Sequence, residues 1–164
     1  MTEEREFIRE SNAIEGVYDD VSFTQAVRAW EYLMTKKEMT SGVVLKTHKI
    51  LMLHSNLYPN EKGYFRNTMV YVGGGPCLSP ERIPEAIGNW CYKTMHSRQS
   101  AKKLHVEYEK IHPFVDGNGR TGRMFMNWTR IKKGQAIIII KAGEEQLEYY
   151  KWFIAHNPSI LVDG

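Results

Sequence analysis

The sequence has little of several features that would place it in a specialised class. Two cysteines, Cys77 and Cys91, cannot build a disulfide framework, and they cannot complete a zinc site without distant histidines. Neither sign of charge dominates, because 22 lysines and arginines are offset by 19 acidic residues, which leaves a net charge of +3. A net charge as small as this gives no reason to expect nucleic acid as a partner.

Long hydrophobic runs are also missing. The longest strongly apolar run, residues 136–140, is far too short to cross a bilayer and is either strand-like or simply buried. The first ten residues, MTEEREFIRE, are charged where a secretory signal would be apolar. We therefore expect a cytoplasmic protein without a membrane partner. We find no repeat and no linker, so we expect a single domain over residues 1–164.

Helical spacing of apolar residues runs through most of the chain. It predicts a first helix over residues 2–15 with Gly16 as its stop, and a second helix that a capping box opens at Ser22. Further helices are predicted over 43–54, from Ser79-Pro80, over 101–111, over 121–133 and over 144–155. Only GYFRNTMVYVGGG, residues 63–75, has the β-branched and aromatic content of a hairpin. The predicted fold class is all-α with one small β-hairpin.

The stretch HPFVDGNGRTGR, residues 112–123, holds the densest group of chemically unusual residues. Gly117, Asn118 and Gly119 come immediately before a predicted helix. Consecutive backbone N–H groups would therefore point out of a tight turn at the positive end of the helix dipole. The pattern predicts a cradle for an anion.

The charged residues of the same stretch fit a phosphate chain. Arg120 and Arg123 are three apart at the helix start, so they can bring forked donors to the same phosphates. Asp116 stands where a hard divalent cation that bridges phosphates would need an oxygen ligand. His112 can take a proton from an incoming hydroxyl near neutral pH. Together these residues predict chemistry on a nucleotide.

Other interpretations of the stretch fail on particular residues. A calcium loop would need glycine where Thr121 stands and glutamate where Asn127 stands. A Walker loop would need lysine and a hydroxyl residue where Arg123 and Met124 stand, and a strand in front of it. A purely structural glycine-rich turn would not need a histidine and two arginines. These mismatches leave nucleotide chemistry as the main hypothesis.

The stretch matches the full Fic family motif, HxFx(D/E)GNGRxxR, and the chain resembles this family over about residues 7–157. Segments 63–66 and 70–74 look like the family's flap, and residues 148–150 look like its closing segment. The resemblance implies an all-helical Fic core with a small β-hairpin flap. It also implies transfer of AMP from ATP to a Ser, Thr or Tyr hydroxyl of a target protein.

The resemblance implies a role for each residue of the loop. His112 would be the general base that deprotonates the target hydroxyl, and Asp116 would hold Mg²⁺ on the α- and β-phosphates. The amides of residues 117–119 would hold the phosphates, with Arg120 and Arg123 on the β- and γ-phosphates. The glycine after Asp116 disfavours the family's kinase-like variant.

Two further regions receive roles by the same resemblance. The flap, residues 64–72, would pair its main chain with the target segment. The flap residues implied in docking are Tyr64, Arg66, Val70, Tyr71 and Val72. Tyr150 and Asn157 match positions that the family uses around adenine.

The stretch SNAIEGV fits the family's inhibitory motif, (S/T)xxxE(G/N), as Ser11, Glu15 and Gly16. The C-terminal end of a helix disfavours an acid, so Glu15 should have a cationic partner. The resemblance implies that residues 1–16 form an N-terminal inhibitory helix. Glu15 would pair with Arg123 and take the place of the γ-phosphate.

Several alternatives stay open at this stage. The same glutamate could align a water that removes AMP from a modified target, or the site could use another nucleotide. A nucleotide-sensing regulator is a third alternative, although binding alone would not require His112. The target is unknown, and self-modification and a homodimer are further expectations. His48 and His105 lie on apolar helical faces, which predicts core histidines.

Overall fold

The computed structural model describes residues 1–73 and 75–154. This part of the chain forms a helical bundle with one two-stranded antiparallel sheet, so the predicted all-α class with a small hairpin is confirmed. The α-helices are α1 (Glu3–Ile14), α2 (Asp20–Met34), α3 (Ser41–Leu51), α4 (Ile83–His96), α5 (Ala101–Ile111), α6 (Asn118–Lys132) and α7 (Glu144–Ile154). The strands are β1 (Tyr71–Val72) and β2 (Gly75–Pro76).

Several helix starts differ from the prediction, and a side-chain cap explains the difference for α2. The α2 helix begins after Asp19, whose carboxylate accepts hydrogen bonds from the Ser22 N–H at 2.9 Å and the Ser22 hydroxyl at 2.8 Å. Ser22 is therefore the third residue of the helix and not its cap. The prediction was wrong here because Asp19 is an equally good capping residue three positions earlier.

The hairpin is shorter and begins later than predicted. Tyr71 lies opposite Pro76, Val72 lies opposite Gly75, and the Cys77 N–H donates to the Val70 carbonyl at 2.9 Å. Residues 63–69 form no strand, so the predicted start at Gly63 was wrong. The Gly63 backbone adopts a positive φ of 79° and its N–H donates to His48, so it serves a turn and not a ladder.

The apolar run 136–140 is not a strand either. Side chains of α6 bind part of its backbone: the Asn127 amide accepts from the Ile138 N–H at 2.8 Å and donates to the Ile138 carbonyl at 3.0 Å, and Arg130 donates to the Ala136 carbonyl at 2.6 Å. At Ile138 the Asn127 amide thus makes the two hydrogen bonds that a partner strand would make. Of the two alternatives for this run, the structure supports the buried one only at its end, where Ile140 is buried.

The α6 helix is the central element of the fold. It is buried on nearly all sides from Asn118 to Thr129 and packs most extensively on α5. Burial all round is typical of a helix in the middle of a core. The N-terminus of α6, which the loop 112–117 leads into, is consequently held in a fixed position.

The α1 helix packs on the body of the protein through both apolar and polar contacts. The Phe7 ring meets the Trp30 ring edge-on at 5.3 Å, and the Trp30 indole donates to the Glu4 carboxylate at 2.8 Å. These contacts fix the rotation of α1, so its last turn faces the N-terminus of α6. In the part of the chain that the structure describes, no helix is both long and apolar enough to span a bilayer.

Candidate nucleotide site

His112 ends α5 in an unusual backbone conformation. Its φ of 49° and ψ of 63° lie in the left-handed region, which residues other than glycine seldom adopt. The His112 N–H donates to the Tyr108 carbonyl at 3.1 Å, and the His112 carbonyl accepts from the Arg66 Nε at 2.6 Å. Such strain concentrates at functional sites, and here it turns the imidazole toward a cavity.

The surroundings of His112 favour the neutral imidazole. Burial is the main cause of a pKa below the usual value, and the Arg66 guanidinium adds to it. The Glu109 carbonyl and the charges of Glu15 and Asp116 act in the opposite direction but do not reverse the lowering of the pKa. Within the described residues Nδ1 has no hydrogen bond of ordinary geometry. A neutral imidazole at pH 7 is able to accept a proton.

Asn118 closes the loop that follows His112. Its side-chain oxygen accepts from the Phe114 N–H at 2.8 Å, and its side-chain nitrogen donates to the Phe114 carbonyl, also at 2.8 Å. The Asn118 side chain therefore cannot reach a nucleotide. Only its backbone N–H remains for the anion cradle predicted from the sequence.

His48 holds the same loop from the side of α3. Its ring stacks on the buried Phe114 ring at 3.6 Å. Because Nδ1 accepts from the Gly63 N–H at 2.9 Å, the proton is on Nε2, which donates to the Asp116 carbonyl at 2.7 Å. Burial lowers the pKa of His48 to about 4, so the ring stays neutral. The predicted core histidine thus ties the start of the flap segment to the loop.

The N-terminus of α6 has the geometry of an anion site. The first N–H groups of a helix have no acceptor within the helix, and the dipole adds positive potential there. Gly117 caps the helix with a φ of 87°, and a Cβ there would lie 3.0 Å from the Met52 sulfur. A Cβ on Gly119 would collide with the Glu15 carboxylate. Both glycines are therefore needed, one for the turn and one for the approach of α1.

The two arginines of the loop do not converge, contrary to the prediction. Arg123 lines the cavity, whereas Arg120 is buried on another side of α6, where its guanidinium lies 3.6 Å from both the Met52 sulfur and Asp116 Oδ2. The difference arises because α3 packs beside Arg120 and α1 packs beside Arg123. In this conformation only Arg123 is placed for an anion in the cavity.

Arg123 is bound by the last turn of α1. Its Nη2 donates to Glu15 Oε1 at 2.7 Å and to the Ser11 carbonyl at 3.0 Å, and its Nε donates to the Ser11 hydroxyl at 2.8 Å. The Arg123 side chain is 2% exposed and the Glu15 side chain is 39% exposed. Burial opposes the charge of Arg123, but Tyr149 and Glu15 outweigh it and raise the arginine pKa. The structure therefore brings together the Ser11, Glu15 and Arg123 that the sequence singled out.

Asp116 could hold a metal that arrives with a nucleotide. Its side chain is 63% exposed, Oδ1 accepts from the Gly117 N–H at 2.8 Å, and Oδ2 lies 3.6 Å from Arg120. Within the described residues no group of three His, Cys, Asp or Glu side chains could hold a metal ion. A single carboxylate fits Mg²⁺, which in nucleotide sites takes one or two carboxylates and completes its shell with phosphates and water.

These residues open onto a cavity of about 700 Å³, a volume typical of small-molecule sites. His112, Gly119 and Arg123 contribute its polar end. The hairpin and α7 contribute facing walls, with Leu78 just after the hairpin and Tyr150 on α7. Asn157, the other residue expected near adenine, lies outside the described residues.

The loop 112–123 lies in a segment that matches a family of known proteins. The model of the Fic/DOC family matches residues 40–129, more than half of the chain. The protein named "Protein adenylyltransferase Fic" in Drosophila erecta is 33% identical over 135 residues, which cover 78% of this chain. The chain belongs to the Fic/DOC family. The protein of the same name in Drosophila melanogaster is also 33% identical over 135 residues. This Fic chain spans only 27% of the length of either relative.

Solved Fic structures share the fold. A Fic domain containing signalling protein from Bacteroides thetaiotaomicron has a TM-score of 0.73 at 19% identity, over 90% of this chain and 69% of that one. Fic-1 from C. elegans has a TM-score of 0.71 at 22% identity, over 99% of this chain and 59% of that one. The family and fold expected from the sequence are thus confirmed.

Most predicted docking residues of the Fic flap are accessible, but Arg66 is not. The side chains of Tyr64, Tyr71 and Val72 are exposed, and that of Val70 is half-buried. Arg66 is 3% exposed, so its side chain cannot contact a docked target. Its guanidinium instead donates to the carbonyls of His112, Ile111, Thr68 and Leu78. Arg66 thereby links the segments on both sides of the hairpin to the C-terminal end of α5. The dipole of α5 favours a cation at that end.

Sequence reasoning missed Glu109, one helical turn before His112. Its carboxyl group lines the cavity, and Oε1 has no hydrogen-bond partner within the described residues. Burial raises the pKa of Glu109 to about 7, nearby Arg123 opposes the rise, and Glu15 adds to it. The spacing of three residues from His112 on one helix was the signal that could have revealed it.

Proposed function

We propose that this chain transfers AMP from ATP to a hydroxyl group of a target protein, and that α1 inhibits the transfer. One observation carries the proposal: a neutral His112 and the Arg123 guanidinium open onto the same cavity at the N-terminus of α6. A base and a phosphate-binding cation in one cavity are what nucleotidyl transfer requires. The name "Protein adenylyltransferase Fic" of the Drosophila relatives supports the same reaction.

The reaction follows from the position of His112. Its neutral imidazole accepts the proton of the target hydroxyl while the hydroxyl oxygen forms a bond to the α-phosphorus of ATP. The bond between the α-phosphorus and the bridging oxygen breaks, and pyrophosphate leaves. The buried Arg66, which donates to the His112 carbonyl, keeps the ring in place without touching the substrate.

The phosphates would lie against the N-terminus of α6. The backbone N–H groups of Asn118 and Gly119 and the guanidinium of Arg123 supply donors there. Asp116 would hold Mg²⁺, and a bound Mg²⁺ would neutralise charge that develops on the phosphates. Adenine would lie between the hairpin and α7, where Tyr150 contributes an aromatic ring. A role for Asn157 stays a prediction.

The α1 helix would inhibit by occupying Arg123. A ratio of 99 inhibited molecules to one active molecule requires roughly 2.7 kcal/mol. One hydrogen bond to a charged group contributes about 1.5–3 kcal/mol, and α1 supplies three acceptors to Arg123. A γ-phosphate needs the same donors. Bound α1 would therefore exclude the productive position of ATP.

Labelled nucleotides test the reaction directly. Glu15→Gly protein receives Mg²⁺ and ATP that is labelled on either the α- or the γ-phosphate, together with a cell lysate as a source of targets. Because kinases of the lysate also use ATP, the label that counts is the label that disappears after the further change His112→Ala. AMP transfer predicts that this His112-dependent label comes from the α-phosphate only, and His112-dependent label from the γ-phosphate would contradict the proposal.

Removal of AMP from a modified target is the second candidate function. It is favoured by the partly exposed Glu15 carboxylate, which lines the cavity and could orient a water molecule. Wild-type protein, incubated with a target that Glu15→Gly protein has modified, would then release AMP, and His112→Ala would not. Self-modification at the exposed Tyr64 or Tyr71, a homodimer, use of another nucleotide and a cytoplasmic location stay predictions.

A further inference from the structure

Arg123 has one hydrogen-bond partner that does not belong to α1. Its Nη1 lies 3.3 Å from the hydroxyl oxygen of Tyr149 on α7, which is slightly longer than an ordinary N–H···O hydrogen bond. The guanidinium carbon also lies 5.6 Å from the centroid of the Tyr149 ring. Within residues 1–73 and 75–154, the other hydrogen bonds of Arg123 go to Ser11 and Glu15. Displacement of α1 would leave the contact with Tyr149.

The direction of the hydrogen bonds around Tyr149 is fixed by chemistry. An arginine only donates, so the Tyr149 oxygen accepts from Arg123 and its own proton must go elsewhere. His105 Nε2 lies 2.6 Å from the same oxygen and therefore accepts a hydrogen bond from the Tyr149 hydroxyl. Burial, together with the charge of Arg123, lowers the pKa of His105 to about 3, so the ring is neutral and Nε2 is able to accept. These hydrogen bonds form a relay that runs from Arg123 on α6 through Tyr149 on α7 to His105 on α5.

Packing alone does not explain the relay, because the relay includes a destabilising feature. His105 must carry its proton on Nδ1, which is buried and finds only the Gly122 carbonyl, in poor geometry, among the described residues. A buried donor that is poorly paired destabilises the folded state. The ring of Tyr149 already packs against those of His105, Trp152 and Phe153. Phenylalanine would keep this packing, so the hydroxyl group needs another explanation.

We propose that Tyr149 is a positioning residue that holds the Arg123 guanidinium at the cavity when α1 no longer does. This inference rests on the proposed function, in which Arg123 binds the phosphates beyond the α-phosphate. A guanidinium released by α1 would otherwise sample several side-chain conformations, and ordering it again would weaken the binding of ATP. Tyr149 limits that loss because one of the donors of Arg123 stays bound.

Two nucleotides separate positioning from general stability. AMP lacks the β- and γ-phosphates, so a residue that acts through Arg123 should affect the binding of ATP and leave the binding of AMP unchanged. Isothermal titration with Mg²⁺ would compare both nucleotides in protein that carries Ser11→Ala, Glu15→Gly and His112→Ala, in which the Ser11 carbonyl is all that α1 still offers to Arg123 and turnover is absent. Tyr149→Phe and, separately, Arg123→Ala are added to this background.

The expected result is a five- to tenfold weaker binding of ATP by Tyr149→Phe, with AMP binding changed less than twofold. Loss of one hydrogen bond of about 1 kcal/mol gives this magnitude. In protein that keeps Glu15, the same change should have a smaller effect because α1 holds Arg123. Thermal melting of each variant verifies that it is folded.

Three other outcomes would each overturn the role of Tyr149, and they differ in what they say about Arg123. If Arg123→Ala weakens ATP selectively and Tyr149→Phe does not, the positioning role of Tyr149 is wrong and the proposed function stands. If Tyr149→Phe weakened the binding of ATP and of AMP equally, Tyr149 would act only by lining the cavity. This result would also overturn the inference. If Arg123→Ala itself shows no preference for ATP, both the phosphate role of Arg123 and the role of Tyr149 fail.

Discussion

The Glu15 carboxylate lies 2.7 Å from the Arg123 guanidinium, and the two side chains differ sharply in exposure. Arg123 is buried in the body of the fold, whereas Glu15, the C-cap residue of α1, lines the cavity. A buried arginine without an anion is costly, which favours states in which an anion is bound to it. Because Arg123 is buried and Glu15 is partly exposed, we infer that Arg123 keeps its position while the anion bound to it is exchanged. Either the carboxylate of α1 or a phosphate from the cavity can satisfy it.

Ser11→Ala should relieve inhibition partially. The change removes the hydroxyl that accepts from Arg123 Nε at 2.8 Å and leaves the Ser11 carbonyl and Glu15 in place. A hydrogen bond from a charged group to a neutral hydroxyl contributes about 1.5 kcal/mol, so AMP transfer should rise about tenfold. Initial rates with α-labelled ATP measure the effect. A rate equal to that of wild type would show that the Ser11 hydroxyl plays no part in inhibition.

Arg66→Lys should loosen the flap and the end of α5 together. Lysine keeps the charge but cannot donate to four carbonyl groups in the fork geometry of Arg66. We expect a loss of about 2–3 kcal/mol in the free energy of unfolding, measured with urea. Hydrogen exchange should accelerate in residues 70–78.

The exposed Arg82 supplies the control for this prediction. Arg82→Lys should change neither the unfolding free energy nor the exchange of the flap. If the two lysine variants behaved alike, the hydrogen bonds of Arg66 would not couple the flap to His112.

Glu109→Gln should remove one pH-dependent contribution to stability. The pKa of Glu109 is raised to about 7 in the folded protein from 4.5, so the folded state binds this proton more tightly than the unfolded state. The contribution is complete below about pH 4.5 and is lost as the pH rises toward about 7. Glutamine stays neutral throughout. Relative to the variant, wild type should therefore lose on the order of 2 kcal/mol between about pH 5 and about pH 8.

A matched comparison is needed because other groups titrate in the same range. His48 and His105 have lowered pKa values, so their contribution to stability is lost as the pH falls, which is the opposite trend. That contribution is common to wild type and Glu109→Gln and cancels in the difference. Urea unfolding at several pH values measures it. A difference that stays constant with pH would mean that Glu109 is ionised in the folded protein.

The sequence predicted what depends on local spacing. The α5 helix has the predicted bounds, because its apolar stripe and the residues that end it are all local. The loop 112–123 and its family were identifiable because a twelve-residue motif is specific. Glu15 was also identifiable, because SNAIEGV fits the family's inhibitory motif and the resemblance implied Arg123 as its partner.

What the sequence could not predict depends on contacts between distant segments. Arg120 and Arg123 look equivalent by spacing, but neighbouring helices turn one toward Met52 and the other toward the cavity. The burial of Arg66 follows from four carbonyls on three separate segments. Tyr149 and His105 meet across 44 positions, and no periodicity of either helix indicates that contact.

If the Glu15 carboxylate inhibits AMP transfer, removal of that carboxylate must raise the transfer rate. We would therefore compare the rate of AMP transfer with and without it. Wild type, Glu15→Gly and the control Glu3→Gln, an exposed glutamate on the same helix, would receive Mg²⁺ and α-labelled ATP with lysate. Release of one charge-assisted pair predicts a rate about 10- to 100-fold above wild type for Glu15→Gly only. Equal labelling by all three proteins would contradict the account.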